Sequence, residues 1–229
     1  MFVFVVTDSP ENARRSGFYE TKFTLEDLAN DWCLMLGYAQ VDPGLLAKLD
    51  PWAIVHSGGS ASYDTYDVLE REAYRRVIVE CDVAQIGLCG GHQIIAKQFG
   101  SSLGHMRRVH EDEPDLSPGY HAGWFKEWGV YPVRIVARDP LFDGLGDLLR
   151  VQEHHMDEVK DLGPDLRLLA SSTDCRVQAF VHRQRPIYGV QFHPERASEQ
   201  YPDGFQVLRN FLRIAREHHQ ESRSHSVPD

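Results

Sequence analysis

The chain has 229 residues, enough for one substantial domain with its own core and too few for two large domains with separate active sites. With 42% hydrophobic and 25% charged residues, its composition is that of a globular protein and not of a disordered one. Lys and Arg total 24 against 34 Asp and Glu, a formal charge of −10, which argues against a broad footprint for nucleic acid or an anionic membrane and favours small-molecule chemistry.

Phe2 to Val6 is a continuous apolar run ending in Thr7-Asp8-Ser9-Pro10, the pattern of a buried strand feeding a loop. It has no basic leader and is too short for a signal peptide or a membrane span, so a cytoplasmic location is expected. Leu25, Leu28, Ala29, Trp32 and Leu36 recur at helical spacing behind Thr24 as N-cap and before Gly37, predicting a helix over 25–36. Trp52 to Val55 reads as a second strand entering His56-Ser57-Gly58-Gly59-Ser60, and an amphipathic stretch follows from Tyr66 to Cys81. The third unit repeats the pattern: strand Ala84 to Leu88, tight turn Cys89-Gly90-Gly91, helix His92 to Phe99 closed by Gly100. Such alternation predicts a mostly parallel sheet flanked by helices.

The polar stretch Glu111 to Gly119 reads as a surface excursion within one domain. Short strand candidates follow at Val133 to Ala137, Leu149 to Val151, Leu166 to Ala170, Val177 to His182 and Ile187 to Phe192, so the second half is richer in strand. A last helix is predicted over Phe205 to Ala215. Residues 1–216 then form the domain, and the polar, aperiodic residues 217–229 a mobile tail.

Four cysteines, Cys33, Cys81, Cys89 and Cys175, form no C-x-x-C pair and suit neither a disulfide scaffold nor a structural zinc site. Free cysteine is usually an inert buried hydrophobe, and that is the expectation for Cys33, Cys81 and Cys175. Cys89 differs because Gly87-Leu88-Cys89-Gly90-Gly91 has the form G-x-C-x-G between a strand and a helix, the thiol counterpart of a nucleophile elbow. Small neighbours permit the sharp turn, and the N-terminus of the following helix favours thiolate over thiol.

A thiolate nucleophile needs a partner that can protonate the departing amine near neutral pH, the role histidine fills best. His193 stands out among 12 histidines because Gln191-Phe192-His193-Pro194-Glu195 ends an apolar strand. In extended chain His193 and Glu195 point to one side, where the carboxylate can orient the imidazole. Cys89, His193 and Glu195 are therefore the expected triad. The amides of Gly90, just after the nucleophile, and Gly59, in the loop after the second strand, are the expected oxyanion donors. His154-His155 and His218-His219 fit no zinc-ligand frame, so no metal or other cofactor is expected.

These motifs resemble the class I glutamine amidotransferases, whose nucleophile motif is similar to Gly87-Leu88-Cys89-Gly90-Gly91-His92-Gln93 and whose second motif is similar to Gln191-Phe192-His193-Pro194-Glu195. A third element matches Ser57-Gly58-Gly59, with Ser60 where Pro is usual. The resemblance runs from the first strand to the last helix and implies a flavodoxin-like three-layer α/β/α sandwich. It implies that Gln93 and the backbone around His154 and His155 hold the amino-acid end of glutamine. Cys89 would form a γ-glutamyl thioester and expel ammonia. The chain carries no G-x-x-x-x-G-K-[ST] loop for nucleotide activation, so the resemblance implies that the ammonia passes to a separate synthetase. His155-Met156-Asp157 leans towards the GMP synthetase type. A stand-alone γ-glutamyl hydrolase using the same three residues is the alternative. Gly123 to Gly129 is rich in aromatics that suit covering the pocket or meeting a partner, with burial in the protein's own core the main expectation.

Overall fold

The computed structural model describes residues 1–14 and 17–224. The first half alternates strand and helix: β1 (Phe2–Val6), a single turn α1 (Pro10–Ala13), α2 (Phe18–Ala29), β2 (Cys33–Gly37), α3 (Pro43–Leu49), β3 (Ala53–His56), α4 (Glu72–Glu80), β4 (Ala84–Leu88) and α5 (Gly90–Gln98). The second half runs β5 (Ser102–His105), β6 (Glu127–Ile135), β7 (Leu148–His155), β8 (Asp157–Asp161), β9 (Leu166–Ser171), β10 (Ala179–His182), β11 (Ile187–Val190) and α6 (Asp203–Ser224).

Nine strands form one sheet in the order β2-β1-β3-β4-β11-β10-β9-β6-β7. The pairs from β2 to β11 are parallel and those from β11 to β7 antiparallel, so the sheet is mixed, with the extra strands of the second half added at one edge. β5 and β8 make a separate antiparallel pair.

The apolar run of β1 is explained by burial on both faces. Phe2 and Phe4 pack with Leu25 of α2 and Leu208 and Phe211 of α6, while Val3 and Val5 pack with Leu46 of α3, Val77 of α4 and Ile94 of α5. Two helical layers thus cover the sheet, the three-layer sandwich expected. Burying each such side chain contributes about 1.5–3 kcal/mol before the entropy of ordering it is set against it.

The predicted helix over 25–36 is corrected. α2 starts behind Gly17, and Asn30 ends it in the left-handed conformation at φ 47°. Cys33 to Gly37 then pairs in parallel with β1. An apolar run this short fits either element, and the vacant edge of β1 decides for strand. The stretch from Tyr66 is helical only from Glu72. The last helix continues beyond Ala215 to Ser224, through residues expected in the tail. Its polar turns are tied down by Arg213 to Glu217 at 3.3 Å and Arg223 to Asp50 at 3.2 Å. Residues 225–229 of the expected tail lie outside the described residues. No helix among the described residues is long and apolar enough to cross a membrane.

Candidate active site

The registers of β3, β4 and β11 bring three loops to one point. His56 lies beside Gly87, and Leu88 beside Val190, so the chain leaving each strand emerges at the same sheet edge. That is where open parallel sheets gather ligands. Cys89 follows β4 at φ 49° and ψ −105°, as N-cap of α5, with its N–H donated to Val190 O at 2.9 Å. Positive φ in a non-glycine residue stores strain, which the surroundings must hold in place. Close packing beneath the elbow does so: a Cβ on Gly87 would lie 2.3 Å from the Gly91 carbonyl carbon, and one on Gly91 2.5 Å from His56 O.

His193 leaves β11 beside this turn. Its N–H donates to Gln152 O at 2.8 Å, pinning it to β7, and its Nδ1 lies 2.7 Å from Glu195 Oε1. The carboxylate only accepts, so Nδ1 carries a hydrogen towards it and Nε2 is the nitrogen left for the Cys89 sulfur. The one-sided placement of His193 and Glu195 does not come from extended chain: Pro194 to Arg196 forms a 3₁₀ turn that brings the carboxylate back to the ring. Burial opposes charge on the imidazole, yet Glu195 and the Cys89 sulfur outweigh it and push the His193 pKa up to about 10. Burial likewise raises the Glu195 carboxyl, but the His193 charge prevails and holds it below the usual range.

Gly58 passes against both groups, since a Cβ there would lie 3.2 Å from His193 Cε1 and 3.4 Å from Cys89 Cβ. A Cβ on Gly90 would lie 2.9 Å from Gly59 N, so these two backbone amides share one small region. Gly90 opens α5, where a helix N–H has no acceptor within the helix. The loop is held from outside by Asp8, only 2% exposed, which accepts from the N–H groups of Ser60 at 2.9 Å and Ala61 at 3.1 Å. Ser60, where the family pattern has Pro, supplies a donor that Pro lacks. Nothing local in Thr7-Asp8-Ser9-Pro10 announces this role, because its partners lie some fifty positions away.

Gln93 already makes three hydrogen bonds of its own. Its side chain donates to Asp157 O at 2.7 Å and Gln191 Oε1 at 3.0 Å, and accepts from Tyr63 Oη at 2.8 Å. The His155 ring also turns inward, buried beside Glu127 Oε2 at 2.9 Å and Glu153 Oε2 at 3.3 Å. His154 faces the opening, packed against Trp128, with its Nδ1 accepting from Arg196 Nη1 at 2.8 Å. Burial first, then the Arg196 and His193 charges, push its pKa down to about 4 and keep it neutral.

A cleft of about 650 Å³ opens on Gly58, His193 and Glu195, walled by Phe18 and Thr21 on one side and Tyr120 and Trp128 on the other. Cys89 opens on an adjoining recess of about 50 Å³ with Gly59, Gly90, Tyr63 and Asp157. The expectation that the whole aromatic stretch is buried is therefore corrected: Phe125 is in the core, whereas Trp128 lines the cleft.

Below the site lies a buried cluster that the sequence did not announce. Glu127, His155 and Cys175 offer ligand-type atoms within 4.8 Å of one another. Glu127 already accepts from Gln178 Nε2 and Ser172 Oγ, each at 2.6 Å, and contacts His155, so the arrangement reads as a closed ion pair. Burial opposes charge on His155, but Glu127 and Glu153 raise its pKa well above the ordinary value. Burial pushes the Cys33 thiol up to about 12 and raises Cys175 and Cys81, which makes them poor nucleophiles.

The sequence profile of the family described as glutamine amidotransferase class-I matches residues 35–215. The glutamine-hydrolyzing GMP synthase subunit of Pyrococcus abyssi is 36% identical over 172 residues, covering 75% of this chain and 80% of the relative. The subunit of the same name from Pyrococcus furiosus is 37% identical over 172 residues with the same coverage. Among solved structures, a protein assigned as a GMP synthase subunit from Thermoplasma acidophilum aligns with a TM-score of 0.75 and 28% identity, over 97% of this chain and 98% of that one. A glutamine amidotransferase from Thermotoga maritima shares the fold at a TM-score of 0.69 and 19% identity, covering 94% of this chain and 98% of that one. The chain belongs to the class I glutamine amidotransferase family.

Proposed function

We propose that the chain is the glutaminase component of a two-component amidotransferase of the GMP synthase type, with Cys89, His193 and Glu195 as its triad. The observation that carries this reading is the meeting of a strained cysteine elbow and a carboxylate-held imidazole across Gly58.

In this mechanism the Cys89 thiolate attacks the side-chain carbonyl carbon of glutamine. The oxyanion forms against the Gly59 and Gly90 amides, whose donors gain strength as charge develops. His193 gives its proton to the nitrogen, the C–N bond breaks and ammonia leaves, with a γ-glutamyl thioester remaining on Cys89. Neutral His193 then takes a proton from water as water attacks the thioester. Glutamate departs and the thiolate–imidazolium pair is restored. Glu195 keeps Nδ1 protonated throughout and offsets the imidazolium charge.

The relatives are named as one subunit of GMP synthase, which supports a separate synthetase as the ammonia acceptor. The reading has the enzyme work in the cytosol, where thiols stay reduced. The backbone at His154 to Asp157, lining the recess beside Cys89, is assigned to the amino-acid end of glutamine.

Incubation with a glutamine-mimicking diazo ketone is expected to label Cys89 and to block ammonia release. Label on Cys175, or none, would overturn the assignment. Cys89→Ala is expected to lower turnover by at least about 10³-fold with the fold intact. Adding the partner synthetase should raise glutaminase turnover, whereas full turnover without it on γ-glutamyl peptides would favour the hydrolase reading.

A further inference from the structure

The hydrogen-bond order around Cys89 has one consistent polarity. Asp157 O is a backbone carbonyl and only accepts, so the Gln93 atom 2.7 Å from it is the amide nitrogen. The same nitrogen has its second hydrogen towards the Gln191 side chain at 3.0 Å, which makes the facing Gln191 atom its oxygen. Tyr63 Oη, donating at 2.8 Å to the other end of Gln93, agrees with that orientation. The Gln191 nitrogen is then left facing Cys89 Sγ at 3.7 Å, a normal distance for an N–H to sulfur contact. Asp157 O accepts a second hydrogen bond from His155 Nδ1 at 3.0 Å, and Glu127 holds the far nitrogen of that ring. The anchor of the chain is therefore a fixed carbonyl between two buried donors. Gln191 is fully buried, and its backbone N–H bonds to Gln178 O at 2.8 Å, so neither the main chain nor the side chain can swing away.

We propose that Gln191 is a positioning residue for the nucleophile: it donates an N–H to the Cys89 sulfur, and Gln93 is the clamp that keeps that end of the amide turned to the sulfur. The inference rests on the reading of Cys89 as nucleophile and deepens it. A hydrogen bond from a fixed donor stabilises the thiolate more than the thiol. It also limits the directions from which the sulfur can approach a carbonyl carbon, which is where positioning gains its rate. The relay gives Gln93 a duty other than contact with glutamine. The ionisable groups around the sulfur and its recess are His193 with Glu195 behind it, Tyr63, Tyr120, His105, His121, His154, His155 and Asp157, and all stay unchanged in the test.

Gln191→Glu keeps the oxygen that accepts from Gln93 and puts a second oxygen where the N–H met the sulfur. Gln191→Met removes the donor at similar size. The readout is the pH dependence of Cys89 alkylation by iodoacetamide without glutamine, with Cys89→Ala subtracting the other thiols. A donor to a charged group is worth about tenfold in the ionisation equilibrium, so both variants should alkylate up to about tenfold more slowly below the parent midpoint, with that midpoint moved up by about one unit, and approach the parent rate at high pH. kcat should fall in step, with KM moving by less than about threefold. Folded variants with the parent midpoint would overturn the proposal, because a purely structural glutamine would lower the melting temperature without moving a thiol titration. If neither variant folds, the parent protein decides. Its Gln191 side-chain amide resonance should shift when Cys89 is alkylated, and an unmoved resonance would overturn the proposal as firmly. Alkylation reads the thiol whether or not glutamine is turned over. Failure of the glutaminase reading, seen as activity surviving in Cys89→Ala, is therefore separable from failure of this inference.

Discussion

The backbone N–H of Ser60 donates to Asp8 Oδ2 at 2.9 Å, and the Ser60 hydroxyl lies 3.1 Å from the same oxygen. With Ala61 on the other carboxylate oxygen, Asp8 fixes the loop that carries Gly58 and Gly59. Asp8→Ala should release that loop and move the Gly59 amide. A displacement near 1 Å costs about 100-fold in rate, so kcat should fall by about that factor while glutamine KM changes little. Steady-state kinetics on a variant with unchanged circular dichroism checks it, and an unaltered kcat would remove Asp8 from the site.

Gly90→Ala tests the proposed oxyanion site from the other side. The new methyl would sit 2.9 Å from Gly59 N, and the atom in its way is backbone, so the loop must give. The expected loss is about 10²–10³ in kcat, the cost of one oxyanion donor, with alkylation of Cys89 by iodoacetamide still proceeding. Loss of alkylation as well would mean that the elbow itself had shifted.

The chemistry is legible in the sequence where it is local. Gly87 to Gly91 and Gln191 to Glu195 carry their own turn and strand signals, and the structure brings the two segments together as expected. The loop proposed to hold the oxyanion is legible as a Gly-Gly turn, but its tether is not, since Asp8 and Ser60 are 52 positions apart. The same reason hides Glu127, Glu153 and Gln178: a buried polar or charged side chain reads as a surface residue until its distant partner is known. The motif around Gln93 points to glutamine, whereas its amide is already engaged by Tyr63, Asp157 and Gln191. In the fold, Cys33 to Leu36 reads as the end of a helix because so short an apolar run has no period of its own, and only the edge of β1 makes it part of a strand.

Glu195→Gln separates the two things the carboxylate does. Burial alone would lower the His193 pKa, and Glu195 is the first of the charges that hold it up near 10. Without that charge His193 loses its proton at lower pH, and the amide can also accept the wrong tautomer. If the proposed triad holds, turnover should drop by about 10³–10⁴-fold, as in triads deprived of their acid. The alkaline limb of the kcat/KM profile should move towards acid by about one unit or more. An unmoved limb would mean that another group sets the His193 charge.

Glu153 allows a prediction about stability with a definite sign. Burial pushes its pKa up to about 7, and His155 only partly offsets that cost. A carboxyl whose pKa rises on folding favours the native state while protonated, below about pH 4.5. That contribution is lost as pH rises towards 7, because the unfolded chain ionises freely and the folded chain does not. Glu153→Gln keeps the shape and cannot ionise. The variant should match the parent near pH 4.5 and exceed it above pH 7, by up to about 3 kcal/mol from the shift alone. Glu153 lies 3.3 Å from His155 Nε2, and the glutamine amide keeps an oxygen that can accept there. Urea unfolding of both proteins at the two pH values measures the difference. A variant less stable at high pH would show that the charge on Glu153 is needed to hold His155, and with it the Asp157 carbonyl from which the Gln93 and Gln191 amides take their direction.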